Sequence, residues 1–441
     1  MKLKRIITLT VFLFLVIGIT ACSDGTDPGT PSDGSTGSLP GNEPPYEPAE
    51  SADMPPSPDT SADDGPDTEP PYEIPVPDVT KKEIPDTEAL RFTAGMMNGW
   101  NLGNTFDASG DWYTGPEENY ETIWVGVKTS KAMIDTLKTA GFNSIRIPVT
   151  WHPHVDEDFT ISEVWLSRVN EVVDYAWDNG MTVILNIHHD DGVDFVYPDS
   201  EHFESSARYI SRIWEQVAAR FAGYGENLIF EGLNEPRLVG TQYEWWQDMG
   251  NDICRDALDT LCNLNQIFVD TVRAAGGCNE TRYLMVSGLG ANADTAVHSR
   301  FRLPEDTAEN KIIISVHAYT PYNFALQGPN ESGSVSEFDM TKTSNTKDID
   351  SFMDKLYKTY ISNGIPVVIG EFGARKKGDN DRSRAEFTAY YTASARARGI
   401  PCIWWDNHGL TGDGELFGLL DRNKLEWVYP KIVEALLREL E

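Results

Sequence analysis

The chain predicts a (β/α)8 barrel of the TIM-barrel class, eight parallel strands closed on themselves and wrapped by helices, preceded by an acidic linker. Three observations carry this. From about Asp86 onward short apolar runs alternate with longer amphipathic segments, the runs number eight, and glycines recur where helical segments give way to strands. Near-continuous apolar strands imply burial on both faces, and strand-then-helix repetition implies parallel pairing under a helical cover. Eight such units favour closure. The 441 residues leave room for two or three average domains, yet one barrel routinely occupies more than about 250.

Strands are expected at 97–102, 144–149, 182–187, 228–233, 283–287, 312–316, 366–369 and 402–405. Helical periodicity appears between several of them, at 130–140, 164–179, 203–221, 348–362 and 382–397. Gly141, Gly180, Gly364 and Gly399 each follow a helical segment just before a strand, the position where a left-handed residue closes a helix. Domain organisation reads as a signal sequence over 1–21, a linker over 22–85 and one barrel domain over 86–441.

The amino terminus reads Met1-Lys2-Leu3-Lys4-Arg5, then an apolar run from Ile6 to Ile19, then Thr20-Ala21-Cys22. A basic start with an apolar run shorter than the roughly 20 residues of a membrane span is an export signal. Ile19-Thr20-Ala21-Cys22 also resembles the lipobox of bacterial lipoproteins, which implies acylation of Cys22 and attachment to a bacterial membrane at the cell surface or outer membrane. Ordinary cleavage and secretion is the alternative. Between Cys22 and Lys81 there is no Lys or Arg, while Pro, Ser, Gly, Asp and Glu dominate and Glu-Pro-Pro-Tyr-Glu occurs at 43–47 and 69–73. Such a segment lacks the apolar side chains that offset ordering entropy and is expected as a self-repelling tether.

The formal charge of −33 excludes a nucleic-acid partner, since phosphate binding is driven by Lys and Arg. Hydrophobic residues make up 40% of the chain and there are 12 Trp, enough for a large core with aromatic rings to spare. Cys254, Cys262, Cys278 and Cys402 allow three pairings, none selected by spacing, and are expected as buried thiols.

In a barrel of this class function sits at the carboxyl ends of the strands. Seven of the eight ends are polar: Asn101 and Asn104; Arg146, then Trp151 and His154; His188-His189-Asp190-Asp191; Asn234-Glu235-Pro236; His317-Ala318-Tyr319; Glu371-Phe372-Gly373; Trp404-Trp405-Asp406. Apolar strands that end in ionisable groups are costly unless function requires them. By position Asn101, Trp151 and His154 are candidate substrate contacts, and Trp124, Trp151 and Trp405 candidate platforms for sugar rings. Trp245, Trp246 and Trp404 fit packing as well as sugar binding. A metal site at His188-His189-Asp190-Asp191 is not expected, because no second His/Asp cluster is evident in the sequence.

These residues fall in runs that resemble glycoside hydrolase family 5: Gly99-Trp100-Asn101-Leu102-Gly103-Asn104-Thr105, Arg146-Ile147-Pro148-Val149-Thr150-Trp151, Asn186-Ile187-His188-His189, Glu231-Gly232-Leu233-Asn234-Glu235-Pro236, His317-Ala318-Tyr319 and Ile369-Gly370-Glu371-Phe372-Gly373. The likeness, closest to the endoglucanases, runs in order from about Met96 to Trp405. It departs at Glu121-Thr122-Ile123-Trp124-Val125-Gly126-Val127, where similar enzymes usually read Trp-Gly-Asn-Pro. The resemblance implies a cellulase that hydrolyses cellulose-like or mixed-linkage β-glucan with Glu235 as acid/base and Glu371 as nucleophile. It also implies Arg146, His188, Asn234, His317, Tyr319 and Trp405 around the cleaved bond, with no cofactor and no metal. Retention of configuration needs two carboxyls about 5–5.5 Å apart, and fourth and seventh strands face each other across a barrel. The same mechanism on xyloglucan, xylan or mannan stays open. A non-catalytic glycan-binding surface lipoprotein is the reading from another class, and the presence of both glutamates argues against it.

Overall fold

The computed structural model describes residues 72–439. The expected signal sequence, Cys22 and most of the expected linker lie outside the described residues. Eight strands, β1 (Asn98–Leu102), β2 (Ser144–Ile147), β3 (Thr182–Asn186), β4 (Leu228–Glu231), β5 (Leu284–Ser287), β6 (Ile312–His317), β7 (Val367–Phe372) and β8 (Cys402–Asp406), pair in sequence order into a closed barrel. The closing seam runs parallel from Asn98 opposite Cys402 to Leu102 opposite Asp406. The expected (β/α)8 fold is therefore the observed one.

β6 and β7 run further than their apolar cores, so His317 and Glu371 lie on strands and not in the loops after them. Their pairing shifts between Val316 and His317, which sets His317 opposite Glu371. A bulge of this kind re-aims side chains at a barrel rim. Helices Lys131–Ala140, Glu163–Asp178, Phe203–Arg220, Thr343–Thr359 and Asp381–Arg396 occupy the five expected segments, joined by Asp252–Ala274 and Pro430–Leu437. Gly141, Gly180, Gly364 and Gly399 all have positive φ, as left-handed stops require. After β5 a single turn, Ala293–Ala296, stands where a full helix would complete the pattern; the rest of that connection is polar and carries Pro304.

Two apolar layers result. One lies between strands and helices, and includes Trp165, Trp214, Phe268 and Trp404. The other fills the lower lumen, where Ile184, Ile229, Met285, Ile313, Val368 and Ile403 meet Met96, Ala89 and Tyr283. Gly99 belongs here because a Cβ would come within 2.7 Å of Ile403. Two residues further along β3, β4 and β6 the inward positions turn polar: Asn186 follows Ile184, Glu231 follows Ile229, and Ser315 follows Ile313. Strand periodicity makes these the same face one step higher.

One boundary moves. The sequence reading ends the linker at 85, but the extended segment from Tyr72 packs on the barrel: Tyr72 Oη donates to Glu386 at 3.0 Å, Ile74 is buried, and Lys82 N donates to Ala397 O at 2.7 Å. Its acidic, proline-rich composition hid two apolar anchors, Tyr72 and Ile74. Cys254, Cys262, Cys278 and Cys402 are free thiols, all but Cys278 buried.

Candidate active site

At the upper end of the lumen the polar strand ends converge on Glu235 and Glu371. Glu371 lies within β7 and Glu235 four residues beyond the end of β4. One carboxylate oxygen of each, together with a ring nitrogen of His317, lie within 4.8 Å of one another. Arg146 Nη1 donates to Glu371 Oε1 at 2.7 Å and Tyr319 Oη donates to Glu371 Oε2 at 3.0 Å, so both oxygens are held. Glu235 has a single side-chain partner, His317 Nδ1 at 2.8 Å. Its side chain is 18% exposed against 7% for Glu371. One carboxylate is clamped and the other is left able to turn toward a ligand.

The charges are mutually dependent. Burial raises Glu371 above the ordinary glutamate value and the charge of Glu235 adds to this; His317, Arg146 and the Tyr319 hydrogen bond oppose without reversing it. Burial alone would raise Glu235 too, but the hydrogen bond and charge of His317, with Arg237 and His189 beyond, hold it below its ordinary value. Burial alone would lower His317, yet the charge of Glu371 and the bond to Glu235 raise it. Burial alone would favour a proton on Glu235, but the 2.8 Å bond to His317 and its charge oppose this, so the two groups share one proton between them.

The flanking residues sort by what remains free on each. Asn234 accepts from Arg146 Nη2 at 2.7 Å through Oδ1, which aims its amide N–H groups away from the arginine. His188 receives Asn186 Nδ2 on Nδ1 at 3.1 Å, and its ring lies parallel to Trp405 with centroids 5.8 Å apart. Gly103 leaves room for that indole, since a Cβ there would come within 2.9 Å of the ring. Trp124, on the loop that departs from the family wording, is 42% exposed, with its Nε1 donating to Ser109 O at 3.1 Å. The loop is tied down by buried Glu121, which accepts from Arg168 Nε at 2.7 Å and Thr129 N at 3.0 Å.

Three expected substrate contacts are corrected. Asn101 is wholly buried, donating to Gly370 O at 2.9 Å and accepting from Arg146 Nη1 at 3.1 Å, so it braces the arginine from below. Trp151 is wholly buried, with its Nε1 on Asn186 O at 2.9 Å; it packs the core and is no sugar platform. His154 stacks on Trp165 at 3.8 Å and meets Glu117 at 2.8 Å, filling the gap between barrel and helices. Asn101 lies within β1, facing Arg146 across the strand pair, whereas Trp151 and His154 follow β2 and have their side chains turned into the core. Trp404 is likewise core, whereas Trp245 and Trp246 are exposed.

Other residues join the site without having been expected. Glu231, at the end of β4, is fully buried and bonded to Arg146 Nε at 2.7 Å and to Asn186 Nδ2 at 3.0 Å. Its signal was present: it is an ionisable side chain in the quoted Glu231-Gly232-Leu233-Asn234-Glu235-Pro236 run, directly after the apolar Leu228-Ile229-Phe230. Arg237 pairs with Asp191 at 2.8 Å and lies 4.5 Å over the Trp245 ring. Asp107 comes from the loop after β1; burial pushes it up to about 7 against hydrogen bonds from Thr105 and Asn104. It brings an oxygen within 4.8 Å of nitrogens on His188 and His189, the His/Asp neighbour not evident from sequence spacing. Among the described residues this set and Glu235, His317, Glu371 have metal-ligand spacing. Asp190 does not contribute, being taken by Trp151 N, His152 N and Tyr209 Oη.

The sequence matches the cellulase family, glycosyl hydrolase family 5, over residues 106–410. Endoglucanase B of Ruminococcus albus is 41% identical over 371 residues, 84% of this chain and 85% of that protein. A family 5 lichenase from Caldicellulosiruptor sp. F32 superposes with a TM-score of 0.82 at 56% identity, covering 83% of this chain and 98% of its own. A broad specificity endoglucanase from Ruminococcus champanellensis, solved with bound cellotriose, superposes with a TM-score of 0.73 at 41% identity over 81% of this chain and all of its own. A closed barrel, two facing glutamates and a family match spanning most of the barrel agree: the chain is a glycoside hydrolase and belongs to glycosyl hydrolase family 5.

Proposed function

We propose that the protein is a retaining endo-β-1,4-glucanase acting on cellulose-like or mixed-linkage β-glucan, with Glu371 as nucleophile and Glu235 as acid/base. The observation that carries this is the approach of the two carboxyls and His317 within 4.8 Å. That leaves no room for a water between Glu371 and the sugar, as inversion would need at about 6.5–9.5 Å. In the first step Glu235, protonated by transfer from His317 across their 2.8 Å bond, gives that proton to the departing glycosidic oxygen while Glu371 Oε attacks the anomeric carbon, and Glu235 is left ionised. In the second, Glu235 takes a proton from water, the hydroxide attacks the same carbon, and Glu371 leaves. Two inversions give retention. Asn234 is suited to donate to the 2-hydroxyl of the reacting sugar, and Trp405 to stack on it.

The names of the similar endoglucanases and lichenase support the substrate class. The broad specificity of one relative favours a second reading, the same chemistry on xyloglucan, xylan or mannan. Glu371→Ala should cut hydrolysis of soluble glucan by about 10⁴-fold or more in a protein that still folds. Retained activity would overturn the assignment; initial rates on a panel of polymers decide between the two substrate readings. All the groups that act are side chains, so activity is expected to survive chelation by EDTA. We further infer a lipid anchor on Cys22, from the Ile19-Thr20-Ala21-Cys22 run, that holds the enzyme at the bacterial surface. Fatty-acid labelling that persists in Cys22→Ser would exclude it.

A further inference from the structure

Glu231 sits one layer below the reacting carboxylates. It is fully buried, and its Oε2 takes Arg146 Nε at 2.7 Å and Asn186 Nδ2 at 3.0 Å, while Ser315 Oγ donates to its Oε1 at 2.5 Å. The ion pair it forms with Arg146 has both side chains at 0% exposure. The same guanidinium reaches Glu371 at 2.7 Å, so one cation is divided between two carboxylates, of which only Glu371 borders the space where a sugar would lie. A second contact points the same way. His317 Nε2 is buried without a hydrogen-bond partner and lies 3.9 Å from Glu231 Oε1. Gly370 keeps that approach open, since a Cβ there would come within 3.1 Å of the nitrogen. A lone pair on Nε2 would face a carboxylate and be repelled, whereas an N–H would be attracted. With Nε2 protonated, Nδ1 either accepts a proton from Glu235 or donates one to it; in both cases the Glu235–His317 pair holds the proton that the leaving group needs.

We propose that Glu231 is a positioning residue of the reaction: it orients and half-neutralises Arg146, and through the open nitrogen of His317 it keeps a proton available to Glu235, without touching substrate. This rests on the assignment of Glu235 and Glu371 above. Every neighbouring element contributes to the balance. β2 supplies Arg146, β3 Asn186 with His188 behind it, β6 Ser315 and His317, and β7 Glu371; Tyr319 lies over Glu371, and Arg237, His189 and Glu415 lie near Glu235. Among them Glu231 is the carboxylate that is buried, paired with Arg146 and kept away from the cleft.

Removing its charge has a defined sign. In Glu231→Gln the whole Arg146 charge falls on Glu371, which then ionises at lower pH, and His317 loses the anion 3.9 Å from its Nε2, so the alkaline limb also moves down. The expected result on soluble β-glucan is a kcat/KM profile displaced acidward by roughly one unit. kcat should fall about tenfold or more, because general acid catalysis is weakened, and KM should stay within about twofold. Glu231→Asp keeps the charge but draws it back by one methylene, and should give a smaller displacement in the same direction. Thermal unfolding establishes which variants fold. A folded Glu231→Gln with both limbs and kcat as in the parent overturns the proposal; should that variant not fold, an undisplaced profile in Glu231→Asp overturns it instead. Glu371→Ala measured alongside separates the two ideas: if it keeps activity, the catalytic assignment is wrong, and if it loses activity the Glu231 result stands alone.

Discussion

The lower and upper halves of the barrel lumen are built from the same inward face of the same strands, two residues apart, and differ completely in what they do. Ile184, Ile229, Ile313 and Ile403 close the lower half as a dry plug. Asn186, Glu231, Ser315 and Trp405 stand one step above them in β3, β4, β6 and β8. In the plug the interactions are non-directional and each side chain is replaceable by another of similar volume. In the upper layer the interactions are directional and partner-specific: Arg146 alone contacts Glu231, Glu371, Asn234 and Asn101. A folded scaffold tolerates that concentration of buried charge because the charges are paired and hydrogen-bonded, Arg146 to both Glu231 and Glu371. Burial then becomes an instrument, shifting the proton affinities of Glu235, His317 and Glu371 against one another.

Breaking one layer at a time tests this division. The largest effect is expected from Arg146→Met, which strands Glu231 and Glu371 as buried like charges. It should cost about 3–5 kcal/mol of stability and remove nearly all hydrolysis, read by denaturant unfolding and by reducing-end release. Ile229→Ala, two residues below Glu231, should cost about 2–5 kcal/mol and leave kcat per folded molecule within about twofold. A large loss of kcat in folded Ile229→Ala would erase the distinction between the layers.

A smaller but sharper comparison lies in pH dependence. In the proposed mechanism Glu371 attacks in its ionised form, and its value is raised above the ordinary 4.5. Activity should therefore be lost, as pH falls, at a higher pH than an unperturbed glutamate would give. The acid side needs the proton shared by His317 and Glu235, and His317 is raised above 6.5, so the alkaline limb should lie above that value. Ile229→Ala should leave both limbs in place. A kcat/KM profile of the parent enzyme with an acid limb below 4.5 would contradict the burial of Glu371 as the source of its shift.

Much of this was legible in the chain. Strand and helix periods, glycine stops and eight repeated units specify the barrel class because backbone pairing and burial leave few other ways to cover such strands. The approach of Glu235 to Glu371 was legible too, since closure gathers the carboxyl ends of all eight strands round one mouth. The directions of side chains beyond the strand ends were not. Trp151 and His154 follow β2 just as Asn234 and Glu235 follow β4, yet the first pair turns into the core and the second into the cleft. Tyr72 and Ile74 were hidden by a linker-like composition, whereas Glu231 stood in plain view as an ionisable residue ending an apolar strand.

By itself the sequence determined which residue types stand at which height of the barrel, because strand periodicity translates position directly into face and layer. Only the tertiary structure decided who shares a proton with whom. Hydrogen bonds and buried charges act over a few ångströms between residues as distant in sequence as Arg146 and Glu371, 225 positions apart, and no local pattern encodes distances of that kind.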